Sequence, residues 1–178
     1  MNARTTISDE YLEQQKALHQ RDDYGVASLN VASMIAQLIR AKNIRSVSDY
    51  GAGKQNLKHG LAQQGISEIE YYPYDPVFPE YGHPRSADLV CCIDVMEHIE
   101  PEYVEAVIDE LHEITKNMGF LSIATGPANK TLPDGRNAHL IQKPACWWLP
   151  LISKKFEVLN LWRSQSNLFM TIERAKPA

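Results

Sequence analysis

The stretch Arg45-Ser-Val-Ser-Asp-Tyr-Gly-Ala-Gly-Lys-Gln-Asn-Leu57 decides the fold. Ser46 to Tyr50 reads as a short buried strand, Gly51 to Gln55 as a tight turn, and Asn56 onward as a helix. Two glycines after a strand let the backbone approach a ligand closely, because no Cβ intervenes and positive φ is accessible. The strand also ends in an acid, Asp49, two residues before the first glycine. A pyrophosphate on the helix N-terminus would be repelled by that carboxylate, whereas a cationic or hydroxyl-bearing ligand would be attracted. Taken alone, the pattern also fits an ordinary strand-to-helix turn, so the choice rests on what lies on either side.

Upstream, Val31, Met34, Ile35, Leu38 and Ile39 recur at helical spacing within Val26 to Lys42, an amphipathic helix laid on a sheet. Downstream, the helix from Asn56 to Gln64 stops at Gly65. Ile69 to Asp75 is a β-prone run that ends in an acid before Pro76. An acid at the end of the strand after a glycine-loop helix is where a ribose is held through its hydroxyls. Only the proline-rich Val77 to Ser86 separates Asp75 from the next strand, Ala87 to Ile93, which is too short for a further helix and strand. One edge of the sheet is therefore expected to be trimmed. Ala87 to Ile93 is apolar on both faces, as a central parallel strand should be, and the loop Asp94-Val-Met-Glu-His-Ile-Glu-Pro101 leaves its C-terminal end.

A helix from Pro101 to Lys116 is expected to stop at Gly119, followed by a strand from Phe120 to Thr125 and a long loop from Gly126 to Lys143. Pro144 opens a short helix through Trp147, Trp148 and Leu151, and the strands Phe156–Trp162 and Leu168–Glu173 form an antiparallel hairpin. The fold class is α/β: a Rossmann-like, doubly wound, mostly parallel sheet with a C-terminal antiparallel hairpin. Residues 1–25, with Tyr11, Leu12 and Leu18 among charges, read as a helical lid or cap on a domain spanning 26–178.

Composition narrows the partners. The 178 residues suit one domain, and 44% hydrophobic with 22% charged residues is that of a soluble globular protein. A net charge of -4 argues against a broad nucleic-acid surface. The polar N-terminus lacks a secretory signal and no run reaches membrane-spanning length, so the cytoplasm is expected. Cys91, Cys92 and Cys146 have neither zinc-ligand nor disulfide spacing, and no metal ligand set is read from the sequence.

The element order, with Asp49-x-Gly51-x-Gly53, then Asp75, then Asp94-Val-Met-Glu-His-Ile99, resembles the class I S-adenosylmethionine-dependent methyltransferases over roughly residues 26–174. The likeness is to their small-molecule branch. It implies S-adenosylmethionine as cofactor, with Asp49 near the methionine amino group, Gly51 and Gly53 near its backbone, and Asp75 on the ribose. Asp94 and Val95 open the loop that borders the sulfonium and the acceptor in that family. Two departures are Gln55, in place of the motif's third glycine, and the missing edge strand, which takes away the region that usually contacts adenine. A nicotinamide-binding Rossmann domain would require a glycine where Asn56 stands. A scaffold or regulatory subunit that binds the cofactor without catalysis is a further alternative.

An oxygen or protonated nitrogen acceptor needs a base. His139, in the polar cluster Arg136-Asn-Ala-His139, is the first candidate, and His98 with Glu97 the second. Tyr24, Arg136, Asn137 and Lys143 are candidate contacts to the acceptor, the cations suiting an anionic group. Cys91-Cys92 lacks the Pro-Cys context of cytosine methylation, and no Asn/Asp-Pro-Pro-aromatic signature is present. With no target-recognition domain, the expected acceptor is a small molecule; a second copy or a partner subunit would add recognition surface.

Overall fold

The structure, a computed structural model, describes residues 5–21 and 24–175. Within the 1–25 segment, residues 1–4, 22 and 23 lie outside the described residues. Among the described residues five α-helices and six strands follow one another: α1 (Asp9–His19), α2 (Ser28–Lys42), β1 (Ser46–Tyr50), α3 (Asn56–Gln63), β2 (Glu70–Tyr74), β3 (Ala87–Ile93), α4 (Val104–Ile114), β4 (Thr115–Ala124), α5 (Ala145–Ile152), β5 (Phe156–Ser164) and β6 (Asn167–Arg174).

The strands form one sheet in the order β2-β1-β3-β4-β6-β5. β2, β1, β3 and β4 run parallel, and β6 runs antiparallel to both β4 and β5. The order steps outward from β1 in both directions, placing the ends of β1 and β3 side by side at the switch point where open α/β sheets bind ligands. The strand after β2 is absent, so β2 is an edge, as the short Val77–Ser86 connection requires.

Alternation along the strands feeds two cores. Val47, Leu89, Cys91 and Phe120 point to the face covered by α2 and α3, through Ile35, Ile39, Leu57 and Leu61. Val90, Cys92, Leu121 and Met170 point to the other face, covered by α4 and α5 through Val107, Leu111, Trp148 and Ile152. At about 1.5–3 kcal/mol for each large apolar side chain removed from water, these faces fix the strand register, since a one-residue slip would invert them.

One expectation is corrected. α4 ends at Ile114 and β4 begins at the next residue, so Gly119 does not stop the helix but lies inside β4, paired with Ile172 and Val90. Thr115 closes the helix by donating its hydroxyl to the Leu111 carbonyl at 2.7 Å. Gly119 is small for packing: a Cβ there would come within 2.9 Å of the Ile172 side chain.

α1 belongs to neither core. Its Tyr11 and Leu18 pack on Leu132 and Ala138 of the Gly126–Lys143 loop, forming a third, smaller apolar cluster. Ser8 caps α1, accepting the Tyr11 N–H at 3.2 Å, and is held by Glu100, whose carboxylate accepts its N–H at 2.8 Å and its hydroxyl at 2.7 Å. Beyond α1, Lys54 donates to the Arg21 carbonyl at 2.7 Å and Asn56 to that of Gly25 at 2.9 Å. The N-terminal segment is thus fastened at both ends across the switch point.

Candidate active site

A cavity of about 380 Å³ lies under this strap. Its floor is the glycine turn. Gly51 adopts φ +79°, and a Cβ there would collide with the Val95 methyl groups, so the residue must be glycine for two independent reasons. The turn is held down by the Tyr74 carbonyl, which accepts the Gly51 and Ala52 N–H groups at 2.8 and 2.9 Å. Gln55 occupies the third motif position at φ 57°. The left-handed turn is therefore preserved without glycine, and the departure noted in the sequence leaves the loop's geometry intact.

Two carboxylates line the cavity beside this turn. Asp49, 3% exposed, is the last residue but one of β1 and accepts a hydrogen bond from the Tyr71 hydroxyl. Burial pushes its pKa up to about 7, against the lowering effect of Tyr71 and with a smaller upward push from Asp75. Asp75 follows β2 and uses both oxygens, accepting the Gly53 N–H and the Val77 N–H at 2.9 Å each. Burial raises its pKa too, opposed chiefly by His19. Each carboxylate oxygen has two lone pairs, so Asp75 keeps acceptor capacity toward the cavity.

Asp94 and Val95 extend the wall from the end of β3. Asp94 takes φ 51°, which is strained for a non-glycine residue, and is secured by Ser122: its N–H donates to the Ser122 carbonyl at 3.0 Å, and the Ser122 hydroxyl donates to its carboxylate at 2.6 Å. His98 and His139 line the cavity as well, their rings edge to face with centroids 4.8 Å apart. Nδ1 of His98 lies 2.8 Å from the Ala138 carbonyl and Nδ1 of His139 lies 2.7 Å from the Gly126 carbonyl. A carbonyl only accepts, so each Nδ1 carries the proton and each Nε2 keeps its lone pair. Burial first, and His139 second, push His98 down to about 3, so it stays neutral.

Thus Asp49, Gly51, Gly53, Asp75, Asp94, Val95, His98, His139 and Tyr24 meet around one cavity. Four other candidates lie outside it. Glu97 is fully buried behind the wall, where Oε1 accepts the Ala124 N–H at 2.8 Å and its carbonyl accepts the Ile141 N–H at 3.0 Å. Arg136 does not line the cavity and is paired with Asp134 at 2.7 Å. Asn137 is a brace for its own loop: its amide bonds both the N–H and the carbonyl of Ala128, at 2.9 and 2.8 Å, and accepts the His139 N–H at 2.9 Å. Lys143 is exposed and does not line the cavity.

Several cavity residues escaped the sequence reading. Tyr11, Gln15 and His19 all line it from α1. Their spacing of four residues, and Leu18 beside them, would have marked one buried helix face. His19 packs edge-on against Tyr24 with centroids 4.9 Å apart and comes within 3.3 Å of where a Gly53 Cβ would be. Tyr24 in turn donates to the Gln15 carbonyl oxygen at 3.0 Å. Tyr71, the partner of Asp49, lies on the neighbouring strand β2, opposite Val47, in a parallel register that no local pattern reveals.

In sequence, no protein-family model and no curated protein matches the chain. Solved structures do match in shape. 1,6-Didemethyltoxoflavin-N1-methyltransferase from Burkholderia thailandensis, with 1,6-didemethyltoxoflavin and S-adenosylhomocysteine bound, superimposes with a TM-score of 0.67 over 99% of this chain and 94% of its own, at 14% identity. The fold is that of the S-adenosylmethionine-dependent methyltransferases. Magnesium protoporphyrin IX methyltransferase from Synechocystis, with S-adenosylmethionine bound, gives a TM-score of 0.64 at 14% identity over 97% of this chain and all of its own. The N-methyltransferase NodS from Bradyrhizobium japonicum, with S-adenosylhomocysteine bound, gives 0.59 at 11% identity, covering 94% of this chain and 100% of its own. The likeness in shape thus spans nearly the whole of this chain and of each of these structures. Among the described residues, no helix is long and apolar enough to cross a membrane.

Proposed function

We propose that this chain is an S-adenosylmethionine-dependent methyltransferase that methylates an oxygen or nitrogen atom of a small molecule. The observation that carries the reading is the meeting of two buried strand-end carboxylates, a Cβ-free turn and two histidines with available Nε2 atoms around one cavity. The residues fit the cofactor. Among the described residues no cation pairs with the buried Asp49, and a methionine ammonium would supply a complementary charge. Asp75 has lone pairs to spare for ribose hydroxyls, and Gly51 and Gly53 admit the ligand's close approach. Bound there, S-adenosylmethionine supplies a methyl group on a sulfonium.

The chain's own part is alignment, exclusion of water and proton removal. Holding two reactants in line is worth on the order of 7–11 kcal/mol. α1 and the Gly126–Lys143 loop, joined by their apolar cluster, act as the lid over the reactants. His139 or His98 takes the acceptor's proton at Nε2. Tyr24, Tyr11 and Gln15 shape the acceptor side, a role better suited to them than to the outward-facing Arg136 and Lys143. The limited cavity and its cover favour a small acceptor over a macromolecule, and the free, mostly buried cysteines suit the cytoplasm.

Calorimetric titration with S-adenosylmethionine and S-adenosylhomocysteine tests the reading, with Asp75→Ala as the control. Micromolar binding lost in the variant is expected, followed by transfer of a labelled methyl group to members of an acceptor panel. No binding by the wild-type chain would reject the proposal. Tight binding with no turnover on any acceptor would favour the scaffold alternative.

A further inference from the structure

Glu97, His98 and His139 come together from two segments that the sequence separates by about forty residues, and one ligand atom from each lies within 4.8 Å of the other two. The roles of these atoms follow from their neighbours. Both Nδ1 atoms face backbone carbonyls and carry protons, so the two Nε2 atoms are electron-pair donors. Glu97 has one oxygen on the Ala124 N–H, while Oε2 is buried with no hydrogen-bond partner. An unpartnered buried polar oxygen is costly, and more so when it is charged. With Glu97 ionised, the cluster offers three acceptors and no donor. A positively charged species answers it.

We propose that Glu97, His98 and His139 bind a divalent transition-metal ion in the cavity wall. Two imidazoles and one carboxylate suit Zn²⁺, Fe²⁺ or Co²⁺, and the imidazole majority disfavours Mg²⁺ and Ca²⁺. The surroundings are those a metal site requires: each imidazole donates its other N–H to a carbonyl, and the carboxylate's second oxygen is hydrogen-bonded. Ligands about 2.1 Å from a tetrahedral ion stand about 3.4 Å apart, so the three must draw in by up to about 1.4 Å. His139 supplies that movement most easily, because it is carried by the long loop.

Three protein ligands leave a coordination position facing the cavity, where both histidines are exposed to a ligand. The role assigned to that position rests on the methyltransferase reading. An acceptor hydroxyl coordinated there would become more acidic and would lose its proton to bulk water before α1 and the Gly126–Lys143 loop close over it. The oxygen's electron pair then forms the bond to the methyl carbon as the carbon–sulfur bond breaks, leaving a neutral thioether. In the loaded form the ion replaces the free histidine as the activating group.

The test uses the full chain, stripped with a chelator and titrated with ZnCl₂ by calorimetry and with CoCl₂ by visible absorption. One equivalent should bind at micromolar concentration or tighter, with cobalt bands of a four- or five-coordinate ion. Binding should weaken at least tenfold in His139→Ala, whose loop position spares the core, and in Glu97→Gln, while His112→Ala is unaffected. Absence of binding at 100 µM Zn²⁺, or binding that survives His139→Ala, would overturn the site and leave a shared proton as the answer to the three acceptors. S-Adenosylhomocysteine titrated into the metal-free chain scores the cofactor reading separately, so either idea can fail alone.

Discussion

On the proposed reading, in which Asp49 faces the methionine ammonium, cofactor binding is a proton-linked event. Its pKa of about 7 in the free protein means that half of the molecules hold a neutral carboxyl at pH 7 and about ten in eleven at pH 6. Only the ionised form complements the methionine ammonium, which itself stays charged in this range. The apparent Kd for S-adenosylhomocysteine should therefore rise about fivefold from pH 7 to pH 6, and about tenfold for each unit below that. Calorimetry at pH 6 in two buffers of different ionisation heat should show nearly one proton released per ligand bound. Tyr71→Phe removes the hydrogen bond that favours the carboxylate, so the midpoint should move up. Asp75 is raised by burial as well, and the thioether 5′-methylthioadenosine separates the two acids, because it keeps the ribose and lacks the ammonium. Its Kd should lack the step near pH 7. A flat Kd for S-adenosylhomocysteine between pH 5.5 and 7.5, or equal slopes for both ligands, would refute the assignment. The sign for the free protein follows from the same shift. The folded pKa lies above the unfolded value near 4, so the unfolded chain gives up its proton first. The Asp49 contribution to stability is thus lost as pH rises from about 4 to about 7, and Asp49→Asn should flatten that slope.

Three further outcomes are expected. Gly51→Ala must hold φ +79° and displace Val95, which should cost about 2–4 kcal/mol in urea unfolding; an unchanged midpoint would mean the turn relaxes freely. Gln55→Gly relieves a left-handed backbone and should stabilise by roughly 1 kcal/mol, whereas a lower midpoint would show that the Gln55 side chain contributes contacts of its own. Asn137→Ala removes three hydrogen bonds inside the Gly126–Lys143 loop; hydrogen exchange there should speed at least tenfold with little change in global melting, and unchanged exchange would show that the loop is held by its apolar contacts alone.

The parts of the fold that were legible in the sequence are those set by local chemistry. Ser46–Tyr50 is a short stretch that runs straight into the glycine turn and Ala87–Ile93 is a largely apolar run, and the strands have those bounds. The missing strand followed from the chain length available between Asp75 and Ala87. Gly119 misled because glycine punctuates both helices and strands, and only the Ile172 side chain lying against it shows which applies. At the site, Asp49, Asp75 and Asp94 were readable because a strand end fixes where its last side chain points. Arg136, Asn137 and Lys143 were not, since a loop's side chains are aimed by tertiary contacts: Asp134 claims Arg136, and the Ala128 backbone claims Asn137. The convergence of Glu97 and His98 with His139 depends on where that same loop returns, which no spacing encodes.

The loss of the strand beyond β2 exposes a row of backbone groups that another chain could use. Glu70 N–H bonds the Arg45 carbonyl, so residues 70, 72 and 74 face β1, and 71 and 73 face outward. Position 73 is proline, which has no N–H to give, and the guanidinium of Arg85 lies 3.8 Å over the Tyr72 ring. Half of the outward donors of this short strand are thereby removed and its flank is covered by a cation. The shortened edge is thereby a poorer template for strand addition, the kind of blunting by which exposed edges resist edge-to-edge aggregation.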